Sequence, residues 1–384
     1  MNNKGKGFLK GLNILFSTLG VFFVAGLIFI LAVNPIGLGT LVSVVGLINT
    51  HSLYDIDSQQ MLEGASAGIV EALDDPYSTY LDKQTWQELK IRLEAKFGGI
   101  GVYVFQDNEG LIKVYSPIKG TPAYEAGVQH GDIVTRINGE STMNMTQDDA
   151  VTLMGGDPGT QLELTIYRES DNKEYVFKIV REIINVPSVE DEVLDADQGI
   201  GYIRLSQFHT QSTVEMLESV DRMVNESNIK GLILDLRNNG GGEFEAAIDI
   251  ASIFLEEGAE VVSSADAQGN SKVYKASAGK TDVPLVVLVN QDSASASEIL
   301  AAALQDNERA LLVGATTYGK GLVQTVFPLR DGGALKLTTQ KYFTPNGTDI
   351  NEIGIVPDFS VVDDIANSED IQLDKALEVL KQQM

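Results

Sequence analysis

The sequence predicts a two-domain body behind an apolar N-terminal helix, with a compact, mostly β domain preceding a larger α/β core. Three observations predict this. Uncharged, largely apolar residues run from Leu12 to Val33. From Phe97, short β-like runs are separated by glycine-rich turns. From Gly199, apolar strands alternate with helical segments, the pattern of an α/β core whose strands are buried on both faces. A chain of 384 residues also exceeds what one hydrophobic core usually organises.

Lys4, Lys6 and Lys10 precede the apolar run, which is 22 residues long from Leu12 to Val33. At ~1.5 Å per residue it matches a hydrocarbon thickness of ~30 Å. It exceeds the core of a cleaved signal peptide, and no A-x-A site follows, so an uncleaved single-pass transmembrane helix is expected within residues 1–35. Lysines before the span and an acidic bulk after it put the N-terminus in the cytoplasm and the body outside the cell membrane. Residues 36–91 form a helical lead-in. There Pro35 to Ile48 is a short apolar stretch suited to an interface, and Ser58 to Leu73 has helical spacing (Met61, Ile69, Leu73) stopped by Asp74-Asp75-Pro76. Residues 92–182 form the β domain, with runs at Ile100–Phe105, Leu111–Tyr115, Ile133–Ile137 and Leu162–Tyr167. Residues 185–384 form the core. Its strands are expected at Ile200–Leu205, Leu232–Leu236 and Leu285–Asn290, and its helices around Val214–Val224, Phe244–Leu255 and Ser297–Gln305.

Composition narrows the chemistry. Asp and Glu number 54 against 28 Lys and Arg, a formal charge of −26, which argues against nucleic acid as a partner. There is no cysteine, and His51, His130 and His209 are scattered, so no thiol chemistry, metal site or cofactor is expected. Hydroxyl, amine and carboxylate groups remain.

The segment Asn290-Gln291-Asp292-Ser293-Ala294-Ser295-Ala296-Ser297-Glu298 joins an apolar strand to an alanine-rich helix. A hydroxyl there sits beside free backbone N–H groups and the positive end of a helix dipole, which suits a nucleophile whose attack creates an oxyanion. The alternative is that these serines only cap the helix. Downstream, Tyr318-Gly319-Lys320-Gly321-Leu322-Val323-Gln324 presents a lysine flanked by glycines, free to enter a tight pocket. Burial there lowers an amine's pKa and makes a general base, and Gln324 could orient it. The alternative is a surface turn. Gly314 to Lys320 also fits a phosphate-binding loop, but Gly321 stands where magnesium binding needs a hydroxyl. At the end of another buried strand lies Leu234-Asp235-Leu236-Arg237-Asn238-Asn239-Gly240-Gly241-Gly242. One of its glycine amides, with that of Ala296, is a candidate oxyanion hole, and Gly241 and Gly242 are the glycines favoured. A Ser-His-Asp triad through His209 is the rival mechanism.

With these motifs go Asp74 to Asp82 (DDPYSTYLD), Phe97 to Val102 (FGGIGV), Gly199 to Arg204, Tyr342 to Gly347 and Gly354 to Asp358. In this order and register the sequence resembles the carboxy-terminal processing, or tail-specific, protease family, serine peptidase family S41. The resemblance implies a crotonase-like ββα arrangement for the core, Ser295 as nucleophile, Lys320 as base and Gln324 as third member. One departure is Gly240, where the family usually has proline. The β domain resembles a PDZ domain. That implies a carboxylate-binding loop at Gly98, Gly99, Ile100, Gly101 and Val102, supported by Ala126-Gly127-Val128-Gln129-His130-Gly131-Asp132, in a domain that either recognises substrate C-termini or braces and gates the protease core. The expected partners are therefore protein or peptide substrates with free C-termini, and the membrane through the N-terminal helix. The lead-in and the C-terminal tail could supply contacts for a homodimer. A catalytically inactive, membrane-tethered peptide-binding scaffold is the reading from another class.

Overall fold

The structure, a computed structural model, describes residues 16–25, 37–94, 96–277, 279, 281–362 and 369–384. The chain divides into a unit ending at Leu73 and a unit from Asp74 to Met384.

In the first unit, residues 16–25 are helical. Helix α1 (Gly37–His51) and helix α2 (Ser58–Glu71) follow. Asp57 caps α2 by accepting the amides of Gln59 and Gln60 at 2.7 and 2.9 Å, which satisfies donors that a helix start leaves unpaired. Among the described residues no helix is long and apolar enough to cross a membrane. Residues 12–15 and 26–33 of the expected anchor lie outside the described residues.

The second unit opens with strand β1 (Thr79–Leu81), helix α3 (Lys83–Glu94) and strand β2 (Lys96–Gly99). An antiparallel sheet comes next: β3 (Val102–Gln106), β4 (Ile112–Pro117), β5 (Ile133–Ile137), β6 (Glu140–Ser141), β7 (Gln161–Arg168) and β8 (Lys173–Val180). Its order is β3-β4-β5-β7-β8, with β6 on β5, so β3 is an edge strand. Alternate residues such as Leu162, Leu164 and Ile166 point into its core and meet Ala150 and Met154 of helix α4 (Gln147–Met154). A reciprocal capping box between Thr146 and Asp149 starts that helix. Strand β9 (Glu182–Asn185) pairs with β2, clasping the chain where it enters and leaves this domain. The segment Phe97 to Val102 was expected as one loop, yet its first half is strand β2. Gly98 makes this possible, since a Cβ there would meet Gly156 O at 2.1 Å.

The core contains β10 (Val189–Asp195), β11 (Ile200–Leu205), α5 (Ser212–Asp221), β12 (Gly231–Asp235), α6 (Phe244–Phe254), β13 (Glu260–Asp266), β14 (Ser271–Lys275), β15 (Leu285–Val289), α7 (Ala296–Asp306), β16 (Leu311–Gly314), β17 (Leu322–Pro328), β18 (Ala334–Phe343), β19 (Phe359–Ser360) and α8 (Ile371–Gln383). One sheet runs β10-β11-β12-β15-β16-β19, parallel from β11 onward. Successive residues of its strands alternate between faces. Leu232, Leu234, Leu285 and Val287 pack with α6 and α7, whereas Ile233, Val286 and Leu288 pack with Ala376, Val379 and Leu380 of α8. A second, antiparallel sheet runs β1-β18-β13-β14, with β17 also on β18. Because β17 follows Lys320 directly, the Gly314 to Lys320 segment leads into a strand and not into the helix that a phosphate-binding loop needs.

Candidate active site

Two loops leave the carboxyl ends of the adjacent parallel strands β12 and β15, where open α/β sheets usually place their ligands. They are laced together. Ser293 Oγ donates to Leu236 O at 2.8 Å, Ser297 Oγ donates to Asn239 O at 2.8 Å, and the Ala294 amide donates to Asn239 O at 3.0 Å. Ser293 and Ser297 are wholly buried in these bonds, whereas Ser295 between them lines a cavity of about 600 Å³. Ser295 sits at φ 56°, ψ −113°, a conformation that costs a non-glycine residue roughly 1–3 kcal/mol. Gly241 packs against this turn so closely that a Cβ would meet Ala294 O at 2.7 Å and Ala296 N at 2.9 Å.

Lys320 and Gln324 line the same cavity, as do Ala296 and Gly240 to Gly242. The buried side chain of Glu298 positions the first of these. Its Oε2 accepts the amides of Ser295 at 2.8 Å and Lys320 at 2.9 Å, and its Oε1 accepts Thr317 Oγ1 at 2.6 Å and the Gly319 amide at 2.7 Å. Tyr342, also buried, donates its hydroxyl to Lys320 O and lies 3.3 Å from Ser295 O. Burial holds that phenol far above its ordinary range. Lys320 Nζ stands 4.9 Å from the ring centroid of Tyr77. Burial pushes its pKa below the ordinary lysine value. The charge of Lys336, which lines the same cavity, pushes it further down, while Glu298 and Asp75 pull the other way.

Other expected roles meet a different geometry. Gln324 shares the cavity, but its side-chain amide donates to Leu322 O at 3.3 Å, and among the described residues no hydrogen bond joins it to Lys320. The cause is local: a register shift between Val323 and Gln324 turns the strand at this point. Gly241 was expected to offer an amide to an oxyanion, but that N–H donates to Asn239 Oδ1 at 2.9 Å. Among the described residues the amides of Gly240, Gly242 and Ala296 find no acceptor. His209 does not stand with Ser295, because it lines a separate cavity. In the β domain, Ile100 is buried, and Gly101, at φ 75°, passes so near Thr121 that a Cβ would meet its side chain at 2.4 Å. Gly98 and Gly99 lie in β2, and Val102 begins β3. Among the described residues the N–H groups of Ile100 and Gly101 have no acceptor.

Reading the residues one by one missed Glu298, Tyr77, Lys336 and Tyr342. Glu298 closes the serine motif and Tyr77 lies within the Asp74 to Asp82 block, so position within those blocks was the available signal. Lys336, on β18, had none.

The chain has relatives among known proteins. Family descriptions match at residues 199–361 (Peptidase family S41), 113–168 (PDZ domain) and 38–85 (Activating protease CtpB N-terminal domain). The carboxy-terminal-processing protease of Bartonella bacilliformis is 42% identical over 312 residues, 79% of this chain and 70% of that one. The carboxyl-terminal-processing protease of Synechocystis sp. is 37% identical over 322 residues, 81% of this chain and 75% of that one. The solved photosystem II D1 C-terminal processing protease matches at a TM-score of 0.50 and 30% identity, over 86% of this chain and 88% of that one. On this likeness across most of its length, the chain belongs to peptidase family S41, among the carboxy-terminal processing proteases, and is a serine endopeptidase.

Proposed function

We propose that the chain cleaves extracytoplasmic proteins near their C-termini through Ser295 and Lys320, tethered to the membrane by the Leu12 to Val33 segment. The observation that carries the reading is the convergence of Ser295 and Lys320 on one cavity, with both backbones hydrogen-bonded to Glu298. Neutral Lys320 takes the proton of Ser295 Oγ as that oxygen attacks the scissile carbonyl. The oxyanion so formed accepts the amides of Ala296 and Gly242. As the C–N bond breaks, the Lys320 ammonium returns the proton to the leaving amine, and an acyl-enzyme on Ser295 remains. Water then attacks the ester and gives its proton to Lys320, whose ammonium returns a proton to Ser295 Oγ as the acyl C–O bond breaks, so that the free acid leaves and both Ser295 and neutral Lys320 are regenerated. The open edge of β3 and the free amides of Ile100 and Gly101 support a PDZ role in which a substrate's terminal carboxylate is held while its backbone pairs with the strand. The apolar anchor rests on 22 uncharged residues preceded by lysines.

The test uses the full chain in detergent with an unfolded protein substrate, and mass spectrometry of the products. Wild type is expected to release C-terminal fragments, and faster from peptides with a free than with an amidated C-terminus. Ser295→Ala is expected to release none. An inert wild type that still binds such peptides would favour the scaffold reading instead.

A further inference from the structure

In the proposed mechanism each proton transfer leaves a positive charge on Lys320 Nζ. That residue is half-buried and shares its cavity with a second cation, Lys336, so the charge is unfavourable there. Among the described residues no carboxylate forms an ion pair with it. The acids whose charge acts on it are engaged elsewhere. Glu298 of α7 accepts four donors, and Asp75 accepts the Tyr77 amide at 3.0 Å and the Ser78 hydroxyl. Tyr342 of β18 donates to the Lys320 carbonyl, and burial pushes Glu243, which also lines the cavity, toward its neutral form.

What Nζ does meet is an aromatic face: it stands over the ring of half-buried Tyr77, 4.9 Å from the centroid. The chain around Tyr77 fixes that ring from two directions. Asp75 ties the turn through Tyr77 N and Ser78 Oγ, and Ser78 Oγ accepts the Thr338 amide of β18 at 3.0 Å. At the far end of the ring the Tyr77 hydroxyl meets that of Tyr318, two residues before Lys320. The electron-rich face of such a ring attracts an ammonium and does little for a neutral amine.

We propose that Tyr77 is a positioning residue for the base, its ring face receiving the charge that Lys320 Nζ acquires when it takes the proton of Ser295 or of water. The proposal rests on the reading that Lys320 is that base. The ring then acts on the transition state and not on the resting neutral amine, which is the condition for raising the rate. It supplies what Gln324, turned to Leu322 O, does not.

The test is kcat/KM against pH for the full chain in detergent, on one peptide with a free C-terminus, with melting temperatures as the control for folding. Tyr77→Leu removes the ring, whereas Tyr77→Phe keeps it and loses only the contact with Tyr318. The Leu variant is expected to lower the alkaline plateau about three- to tenfold and to move the rising limb about half to one pH unit toward acid, the size of a partly desolvated cation–π contact. Below the limb its curve should rejoin that of wild type, because the ammonium is then present in the ground state and the ring favours ground and transition states alike. Tyr77→Phe is expected to keep the wild-type curve. A Leu curve equal to wild type, or lowered by one factor at every pH as a merely structural role requires, would overturn the proposal, and so would a Phe curve that matches the Leu one. Should Tyr77→Leu fail to fold, Tyr77→pentafluorophenylalanine keeps the shape of the ring and reverses the charge of its face, and the same outcomes decide. Lys320→Ala separates the two readings. If it keeps the wild-type limb, Lys320 is not the base and the role of Tyr77 falls with it; if it loses the limb while Tyr77→Leu leaves the limb in place, only the role of Tyr77 fails.

Discussion

Ser295 and Lys320 donate their backbone amides to the same atom, Glu298 Oε2, at 2.8 and 2.9 Å. The proposed nucleophile and its proposed base are thus registered through their main chains by a third, buried residue. Both residues line the same cavity, and on the proposed mechanism reactivity depends on keeping that carboxylate in place.

Glu298→Gln replaces with an NH2 group one oxygen of a carboxylate that now accepts three N–H donors and a hydroxyl. It is expected to lower the unfolding free energy by about 2 kcal/mol, the usual result of stranding buried donors, and to lower kcat about 100-fold with a smaller change in KM. Denaturant titration and steady-state kinetics on the same preparation check this. A variant with parental stability and rate would contradict the positioning role.

The strained backbone at Ser295 gives a stability prediction that is independent of activity. Both Ser295→Ala and Ser295→Gly are expected to be inactive, but only glycine relieves φ 56°. The glycine variant is expected to be the more stable of the two by about 1 kcal/mol. Equal melting temperatures would mean that the turn is not strained.

The pH dependence follows from Lys320. On the proposed mechanism activity needs its neutral amine, so kcat/KM is expected to rise with pH and level off above a pKa that burial holds below the ordinary lysine value. Lys336 disfavours the ammonium at Lys320, so Lys336→Gln raises that pKa. The rising limb should then move to higher pH, with activity lost near neutrality and recovered in alkali. A pH–rate profile that does not move would contradict the coupling.

Stability should carry the mirror image. Between the folded and unfolded pKa values of Lys320 the folded chain binds fewer protons, so this group makes stability rise with pH across that window. Lys320→Met is expected to raise the melting temperature at neutral pH, with the gain shrinking toward pH 10.5. A variant less stable than the parent at neutral pH would mean that the lysine is not penalised in place.

What was legible in the sequence was what depends on local pattern. Runs such as Leu285 to Val289 are buried on both faces and show it in their composition. Ser295 and Lys320 stand in small-residue loops that have no reason to be so bare unless something approaches them closely. The second sheet was not legible. Strands β17 and β18 keep most residues half-buried on either face, so Lys336, Thr338 and Gln340 interrupt any apolar alternation. Glu298 reads as an ordinary acid in the first turn of a helix, and only the Thr317 to Lys320 loop folding onto it makes it a buried clamp. The Gly241 amide and the Gln324 side chain have other partners for a related reason. Asn239 Oδ1 and Leu322 O, near neighbours in sequence, take the bonds that a ligand or Lys320 was expected to receive. Composition does not reveal that kind of competition.

The most direct measurement is kcat/KM of Lys320→Ala against wild type on one peptide with a free C-terminus, with Ser295→Ala as the blank and the melting temperature of each protein as the control for folding. A folded Lys320→Ala protein whose kcat/KM falls by at least about 100-fold, as loss of a general base requires, is the expected result. A folded variant within about tenfold of wild type would contradict the claim that Lys320 activates Ser295.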